Sequence, residues 1–193
     1  MAVIDKVYND RTYYRIGKYR AAGIIPYYIK NGEIFILINK ETQYKNNKLN
    51  CIGGKVEEED NTIYDTIVRE FSEETGEILS SNELELLREK LPKRSIRIYI
   101  EESKYLVVFF KIKKRDKKRF KLWKKLPELY DDKFDGVEPY SCNSEYDSVS
   151  LHWVKAFKND KIDYMVSEDE KVSFVLDKVI DFMKECEDFK EYK

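Results

Sequence analysis

The stretch GGKVEEEDNTIYDTIVREFSEETG, which begins at Gly53 and ends at Gly76, contains a glycine turn followed by a strongly patterned segment. Apolar side chains recur every four residues in that segment, at Ile63, Ile67 and Phe71. This spacing predicts a helix over residues 62–75 with one buried face, and Gly76 is placed to end it. The glycine turn therefore lies just upstream of an amphipathic helix.

Three glutamates share the other face of this helix. Glu70, Glu73 and Glu74 stand at positions i, i+3 and i+4, so their carboxylates project from one side, roughly opposite the apolar stripe. Two such charges about 5 Å apart repel by about 3 kcal/mol at an effective dielectric constant of about 20, and a cation between them would relieve this repulsion. Carboxylate oxygens in this number suit Mg²⁺ or Mn²⁺. The alternative is an ordinary solvated helix face, because charged residues make up 38% of the chain.

The glycine turn and a neighbouring arginine are candidates for the same site. Glycine adopts backbone conformations that other residues avoid, so the turn at Gly53, Gly54 and Lys55 can approach a ligand closely and offer a carbonyl oxygen to the metal. We expect Lys55 to contact the bound ligand. Arg69 adjoins the glutamates, and its guanidinium could hold one of them in position with two parallel hydrogen bonds.

The complete string resembles the Nudix box of the Nudix hydrolases, whose pattern is Gx5Ex7REUxEExGU with U a bulky apolar residue. Its second half, REFSEETG, is present in full from Arg69 to Gly76. The loop half departs from the pattern. With Gly54 as the first glycine, Asp60 stands where the pattern has glutamate, and the gap to Arg69 is one residue longer. We interpret this as a one-residue insertion, with Glu59 or Asp60 in the acidic position.

This resemblance implies both a fold and a chemistry. The fold would be α/β (α+β), a Nudix-like α/β/α sandwich with a mixed β-sheet between helices. Family members cleave a nucleoside diphosphate linked to a further group, by attack of water on phosphorus, with Mg²⁺ or Mn²⁺ bound. The resemblance implies that the metal ligands are Glu70, Glu73, Glu74 and the carbonyl of Gly54, and that Arg69 orients this cluster.

The group that accepts the proton of the attacking water stays open, because family members use either a glutamate of the box or one from a later loop. Glu70 and Glu73 are the candidates within the box. Glu145 precedes a predicted strand, where a distal base or extra ligand is often found, although a surface glutamate is an equal alternative. Glu57 resembles a frequently acidic family position, and we expect it to be an outer metal ligand.

The rest of the chain is consistent with one domain over residues 1–193. Residues 21–40 predict two strands joined at Asn31 and Gly32, which form the strongest short hairpin signal. Further strands are predicted at 105–112 and 149–154. A second helix is predicted at about 168–189, where Ser167 and Glu170 fit a capping box. Strands combined with two helices indicate helices that cover a sheet.

Composition excludes several classes of protein. The 193 residues include 36 basic and 37 acidic ones, and the net charge of -1 gives no overall attraction for nucleic acid or an anionic membrane. Three scattered cysteines argue against a disulfide framework, and one histidine excludes chemistry that needs two. No apolar run approaches the roughly 18 residues of a membrane span, and the N-terminus lacks the apolar core of a signal peptide. We therefore expect a soluble, cytoplasmic protein without a membrane partner.

One basic segment stands out against this neutral background. It begins at Lys111 and ends at Lys125, contains ten basic residues and one acidic residue, and has Phe120 and Trp123 interleaved. This composition suits a nucleic-acid backbone with stacked bases, and it also suits a polyphosphate. A solvated basic loop is the alternative.

Three functions remain open at this stage. The first is hydrolysis of a small molecule linked to a nucleoside diphosphate, and the second is decapping of capped RNA through the basic segment. REFSEETG resembles viral decapping members of the family, but decapping members tend to have a Pro-Lys-Gly-Lys turn where this chain has CIGGK. A diphosphoinositol polyphosphate is a further anionic candidate. The third function is an inactive binding module, which the presence of all three helical glutamates disfavours. The oligomeric state is open.

Overall fold

A computed structural model describes residues 19–30, 32–41, 48–75, 79–113, 140–143, 148–158, 161–163, 171–186 and 189. Five sequence predictions lie outside these ranges: Asn31 in the hairpin turn, Gly76 as the helix stop, Glu145 as a distal base, Ser167 and Glu170 as a capping box, and the basic segment beyond residue 113.

Four strands, two helices, six further strands and a last helix follow one another along the described chain. The strands are β1 (Ala21–Lys30), β2 (Glu33–Glu41), β3 (Lys48–Asn50), β4 (Ile52–Lys55), β5 (Ser95–Ile100), β6 (Tyr105–Lys111), β7 (Tyr140–Asn143), β8 (Ser148–Lys158), β9 (Lys161–Asp163) and β10 (Lys171–Val172). The helices are α1 (Ile63–Glu74), α2 (Ser81–Arg94) and α3 (Phe174–Glu185). None of these helices has the length and apolar character that crossing a bilayer requires.

The strands form one mixed sheet with β1 near its centre. The C-terminal half of β1 pairs antiparallel with β2, and its N-terminal half pairs antiparallel with β4, where Gly23 lies opposite Gly53. Along its other edge β1 runs parallel to β6. β2 also pairs with β3 and β8, β5 pairs with β6, β7 and β9 flank β8, and β10 pairs with β3. The pairing of β1 with β4 fixes the glycine turn within the sheet.

Helices cover both faces of this sheet. On one face α1 and α2 pack against alternate residues of the strands, and this core contains Ile67, Phe71, Leu87, Leu91, Ile24, Leu37 and Val108. On the other face α3 packs against the intervening residues, and that core contains Leu176, Val179, Phe182, Met183, Ile25, Ile36 and Val107. Each fully buried side chain of this kind contributes about 1.5 to 3 kcal/mol. The predicted α/β/α sandwich with a mixed sheet is confirmed.

Helix α1 has the bounds that its apolar spacing predicts. Thr62 is the N-cap, and a capping box joins it to Asp65: the Asp65 N–H donates to Thr62 Oγ1 at 3.3 Å, and the Thr62 N–H donates to Asp65 Oδ2 at 2.7 Å. Thr75 is the C-cap. Ile63, Ile67 and Phe71 are at most 1% exposed, so the predicted buried face is confirmed.

The predicted strands are also found. β1 and β2 form the predicted hairpin, and Gly32 in its turn has a φ of 80°, a left-handed conformation that favours glycine. The strand predicted at 105–112 is β6, and the strand predicted at 149–154 is the longer β8.

The predicted start of the last helix is wrong. Lys171 and Val172 form β10, which runs parallel to β3, so a helix cannot begin near residue 168 and continue through them. The Ser173 N–H donates to the Leu49 carbonyl at 2.8 Å, and Ser173 Oγ accepts the Leu176 N–H at 3.1 Å. Ser173 is therefore the N-cap, and α3 begins at Phe174 because strand pairing takes the preceding residues.

Helix α2 was not predicted from the sequence, although a local signal exists. Ser80 and Glu83 have capping-box spacing, and Glu83 Oε2 accepts from both the N–H and the Oγ of Ser80, at 2.9 and 2.7 Å. Leu87 and Leu91, four residues apart, are fully buried. The pattern was weak because the helix is mostly polar and contains Pro92.

Candidate active site

Arg69 lies at the centre of a cluster of acidic side chains between the glycine turn and α1. Its Nε and Nη2 donate to Asp60 Oδ1 and Oδ2 at 3.3 and 3.1 Å, and Nη2 also donates to the Lys55 carbonyl at 2.7 Å. The Arg69 and Asp60 side chains are 20% and 5% exposed, so water and salt screen this pair weakly. One guanidinium thus joins α1 to the turn and to the loop that follows it.

Three further carboxylates converge on the remaining nitrogen of the same guanidinium. Arg69 Nη1 lies 3.0 Å from Glu70 Oε1, 3.2 Å from Glu73 Oε2 and 3.5 Å from Glu57 Oε1. Glu57 and Glu73 are more than half exposed, whereas the Glu70 side chain is 14% exposed. The cluster therefore reaches from the protein interior to solvent.

Asp60, and not Glu59, fills the acidic position of the motif. Asp60 is 4% exposed, whereas Glu59 is exposed. Besides its two bonds from Arg69, Asp60 accepts the Thr66 hydroxyl at 2.8 Å and the Glu57 N–H at 3.0 Å, both on Oδ2. The spacing from Gly54 to Asp60 is that of the motif, so the extra residue lies between Asp60 and Arg69.

Glu74 occupies a different place from the other glutamates. Its Oε2 accepts the Gly53 N–H at 2.8 Å and the Asn39 Nδ2–H at 2.9 Å. These two donors come from the glycine turn and from β2. The Glu74 carboxylate thus joins the C-terminal end of α1 to two parts of the sheet.

Close packing explains the two glycines of the turn. A Cβ on Gly54 would overlap the Glu70 carboxylate, so that carboxylate lies directly against the turn. A Cβ on Gly53 would overlap the backbone of Ala22 and Gly23, and Gly53 has a φ of 156°. The Tyr105 hydroxyl lies beneath both Gly23 and Gly53 and accepts a hydrogen bond from Cys51 Sγ at 3.4 Å. Backbone contacts therefore require glycine at position 53, whereas an added Cβ at position 54 would displace the Glu70 carboxylate.

Burial and charge shift the pKa values within the cluster. Burial raises the pKa of Glu70, Arg69 opposes this effect, and the nearby charges of Glu73 and Glu57 add to it; the net shift is upward. Burial also acts to raise the pKa of Asp60, but hydrogen bonds from Arg69, the Glu57 backbone and Thr66 outweigh it, so the pKa falls below its usual value. Burial opposes the charged form of Arg69, but Asp60 and Glu70 keep its pKa above the usual range.

The structure brings most of the predicted site residues together. Glu57, Glu70 and Glu73 meet at Arg69, whereas Glu74 lies apart on Gly53 and Asn39. Lys55 contributes to this cluster through its backbone carbonyl, which accepts a hydrogen bond from Arg69 Nη2. Asn39 was not predicted from the sequence, where its only signal is a polar residue directly after the apolar run IFILI.

The donor set fits a divalent cation in its chemistry. Among the described residues, no three acidic, histidine or cysteine side chains enclose a site that is ready for a metal ion. Glu57, Glu70 and Glu73 instead place one oxygen each around a single cationic nitrogen, at 3.0 to 3.5 Å. Carboxylate oxygens are hard ligands, which Mg²⁺ and Mn²⁺ prefer. Here three of them already lie around one positive charge.

Comparison with known proteins identifies the family. The sequence matches the NUDIX domain over residues 17–161, a range that contains the whole acidic cluster. The chain belongs to the Nudix domain family. Helix α3 lies beyond the matched range.

Individual relatives of this Nudix domain are distant or partial. The chain is 41% identical over 72 residues to uncharacterized protein L534 of Acanthamoeba polyphaga mimivirus. This match covers 36% of the chain, and it spans only 23% of that protein's length. A Nudix hydrolase from M. smegmatis, RenU, is 14% identical with a TM-score of 0.36 over 73% of each chain. A C. elegans Ap4A hydrolase is 21% identical with a TM-score of 0.30, over 49% of this chain and 67% of that one.

Proposed function

We propose that this Nudix domain is a metal-dependent hydrolase that cleaves the diphosphate linkage of a nucleoside diphosphate joined to a further group. The observation that carries the proposal is the convergence of Glu57, Glu70 and Glu73 on one nitrogen of Arg69. Together with Asp60 these side chains are four carboxylates around the single positive charge of Arg69, and a bound cation would offset the excess negative charge. Family membership supplies the reaction class.

Several groups would hold the ion, which is Mg²⁺ or Mn²⁺ in this proposal. They are Glu70, Glu73, Glu74 and the Gly54 carbonyl, with Glu57 as an outer ligand. When bound, the ion neutralises the diphosphate and lowers the pKa of a bound water molecule. Arg69 would keep its bonds to Asp60 and to the Lys55 carbonyl through Nε and Nη2. Nη1 is then the nitrogen that gives way to the ion.

Glu70 is the proposed acceptor of the proton that the attacking water loses. A general base must lie within reach of the water whose proton it takes, and the Glu70 carboxylate lies directly against Gly54, whose carbonyl would hold the ion. The water oxygen would attack phosphorus, its proton would pass to Glu70, and the phosphate on the far side would leave. Glu145, which lies outside the described residues, is the second candidate for this role.

The first test is product release from a panel of possible substrates, each with Mg²⁺ and with Mn²⁺. The panel contains ADP-ribose, dinucleoside polyphosphates, nucleoside triphosphates, free cap analogue and capped RNA. We expect turnover of at least one diphosphate in the presence of either metal and none in the presence of a chelator. No turnover of any compound would contradict the proposal and favour the binding module.

Decapping of capped RNA is the second candidate function, and the basic segment supports it. Ten basic residues against one acidic residue between Lys111 and Lys125 would attract an RNA backbone. The same panel separates the two functions. Release of a methylated nucleoside diphosphate from capped RNA, with little from free cap analogue, would favour decapping. Turnover of a small diphosphate with capped RNA untouched would favour the first function.

A further inference from the structure

Asn39 is a buried amide at the edge of the candidate site. It lies in β2 after two fully buried apolar residues, Leu37 and Ile38, and is itself 0% exposed. Its Nδ2 donates to Glu74 Oε2 at 2.9 Å. The Gly53 N–H donates to the same oxygen at 2.8 Å. Asn39 therefore links Glu74 to the centre of the sheet.

The oxygen of this amide finds no donor among the described residues. Asn39 Oδ1 is fully buried and has no hydrogen-bond partner in the described part of the chain. A buried acceptor without a donor lowers stability, whereas an apolar side chain in this apolar strand would carry no such penalty. The reverse orientation of the amide would place Oδ1 against Glu74 Oε2, where two acceptors repel. The hydrogen bond to Glu74 is therefore the interaction that favours asparagine over an apolar residue at this position.

We propose that Asn39 is a positioning residue that orients the Glu74 carboxylate for metal binding. This inference rests on the proposed function. Two donors from different strands meet at Glu74 Oε2, and one carboxylate oxygen has two lone pairs to offer. These two hydrogen bonds restrict rotation of the Glu74 carboxylate and would fix the orientation in which it binds the ion. Partners that orient a ligand in this way typically change metal affinity by about 10- to 100-fold.

The test is Mn²⁺ binding to the substrate-free protein, measured by the electron paramagnetic resonance signal of free Mn²⁺ during a titration. We expect Asn39→Ala to raise the dissociation constant about tenfold or more. The matched control is Asn50→Ala, because Asn50 lies opposite Asn39 in the β2–β3 pairing. Asn50 Oδ1 accepts from the Cys51 N–H and from Ser173 Oγ. We expect this control to lower the unfolding temperature and leave Mn²⁺ affinity unchanged.

A double-mutant cycle tests whether Asn39 acts through Glu74. In a Glu74→Ala background, Asn39→Ala should change the Mn²⁺ dissociation constant by less than about twofold, because the carboxylate that it orients is absent. An equal loss of affinity in both backgrounds would overturn the proposal. So would unchanged affinity in the single variant.

Two readouts separate failure of this inference from failure of the proposed function. If the wild-type protein neither binds Mn²⁺ nor hydrolyses any compound of the panel, the proposed function fails and this inference fails with it. If the wild type does both and Asn39→Ala binds Mn²⁺ normally, only the inference fails. Asn39→Ser repeats the test with a different side chain, and thermal unfolding checks both variants. If neither variant folds, Asn39 is a residue of the fold and the proposal is overturned.

Discussion

At the residue scale, one guanidinium organises the candidate site. Helical spacing alone predicted that Glu70 and Glu73 share a face beside Arg69, because that relation is local, but it wrongly placed Glu74 with them. The choice of Asp60 over Glu59 depends on which acid the loop buries, and local spacing does not contain that information. Asn39 lies 35 residues from Glu74, so only the folded sheet brings them together.

Replacing the acid that anchors Arg69 should destabilise the fold. Asp60→Asn removes a charge that accepts from Arg69, Thr66 and the Glu57 N–H. Breaking such a buried network costs about 1 to 3 kcal/mol. Urea unfolding at neutral pH would measure the loss. Glu59→Gln is the control, since this neighbouring acid is exposed and its loss should change stability by less than about 0.5 kcal/mol.

Asp60→Asn should also change how the stability of the fold depends on pH. Because the pKa of Asp60 is lower in the folded protein than in the unfolded chain, ionised Asp60 stabilises the fold at pH values above about 4. That contribution is lost as the pH falls through the folded-state pKa. The gap in unfolding free energy between wild type and Asp60→Asn should therefore narrow on acidification. A constant gap down to pH 2 would contradict this role.

Substitution of the two glycines of the turn should have different effects. Gly54→Ala would displace only the Glu70 carboxylate, the end of a flexible side chain, so the unfolding temperature should hardly change. Displacement of a catalytic group by about 1 Å can lower the rate about 100-fold, so hydrolysis should fall strongly. Gly53→Ala meets backbone and should instead destabilise the fold. Full activity in Gly54→Ala would show that the Glu70 position is unimportant.

At the element scale, local signals identified α1 but misplaced the start of α3. The prediction of α1 agrees with the structure because the N-cap and the apolar stripe of this helix both lie within one short segment. The predicted start of α3 relied on a capping-box spacing at Ser167 and Glu170, and the pairing of β10 with β3 overrode it. That pairing joins residues more than a hundred positions apart, so the sequence pattern could not reveal it.

The N-cap of α3 gives a direct test of this correction. Ser173→Ala removes the oxygen that accepts the Leu176 N–H and that donates to Asn50 Oδ1 at 2.7 Å. Loss of a cap costs about 0.5 to 2 kcal/mol, which denaturant unfolding would detect. Ser173→Asp, which can still cap the helix, should recover most of the stability. No loss in Ser173→Ala would argue against Ser173 as the cap.

At the scale of the whole molecule, a central sheet with helices on both faces fixes the site at the junction of α1, β1 and β4. The layered fold was predictable because a sheet and an amphipathic helix must bury their apolar faces against each other. The substrate was not predictable, because the side chains that would choose it lie outside the motif. The basic segment, with its balance of ten basic residues to one acidic residue, is the strongest sequence clue to that choice.

The most direct test of the account is the Mg²⁺-dependent hydrolysis rate of Glu70→Gln, measured with the compound that the wild type turns over fastest. We expect the hydrolysis rate to fall by about 100-fold or more, while the unfolding temperature stays close to that of the wild type. Glu58→Gln is the matched control, because Glu58 is an exposed acid of the loop that precedes α1, and it should keep the wild-type rate. A Glu70→Gln variant as active as the wild type would contradict the assignment of this cluster as the active site.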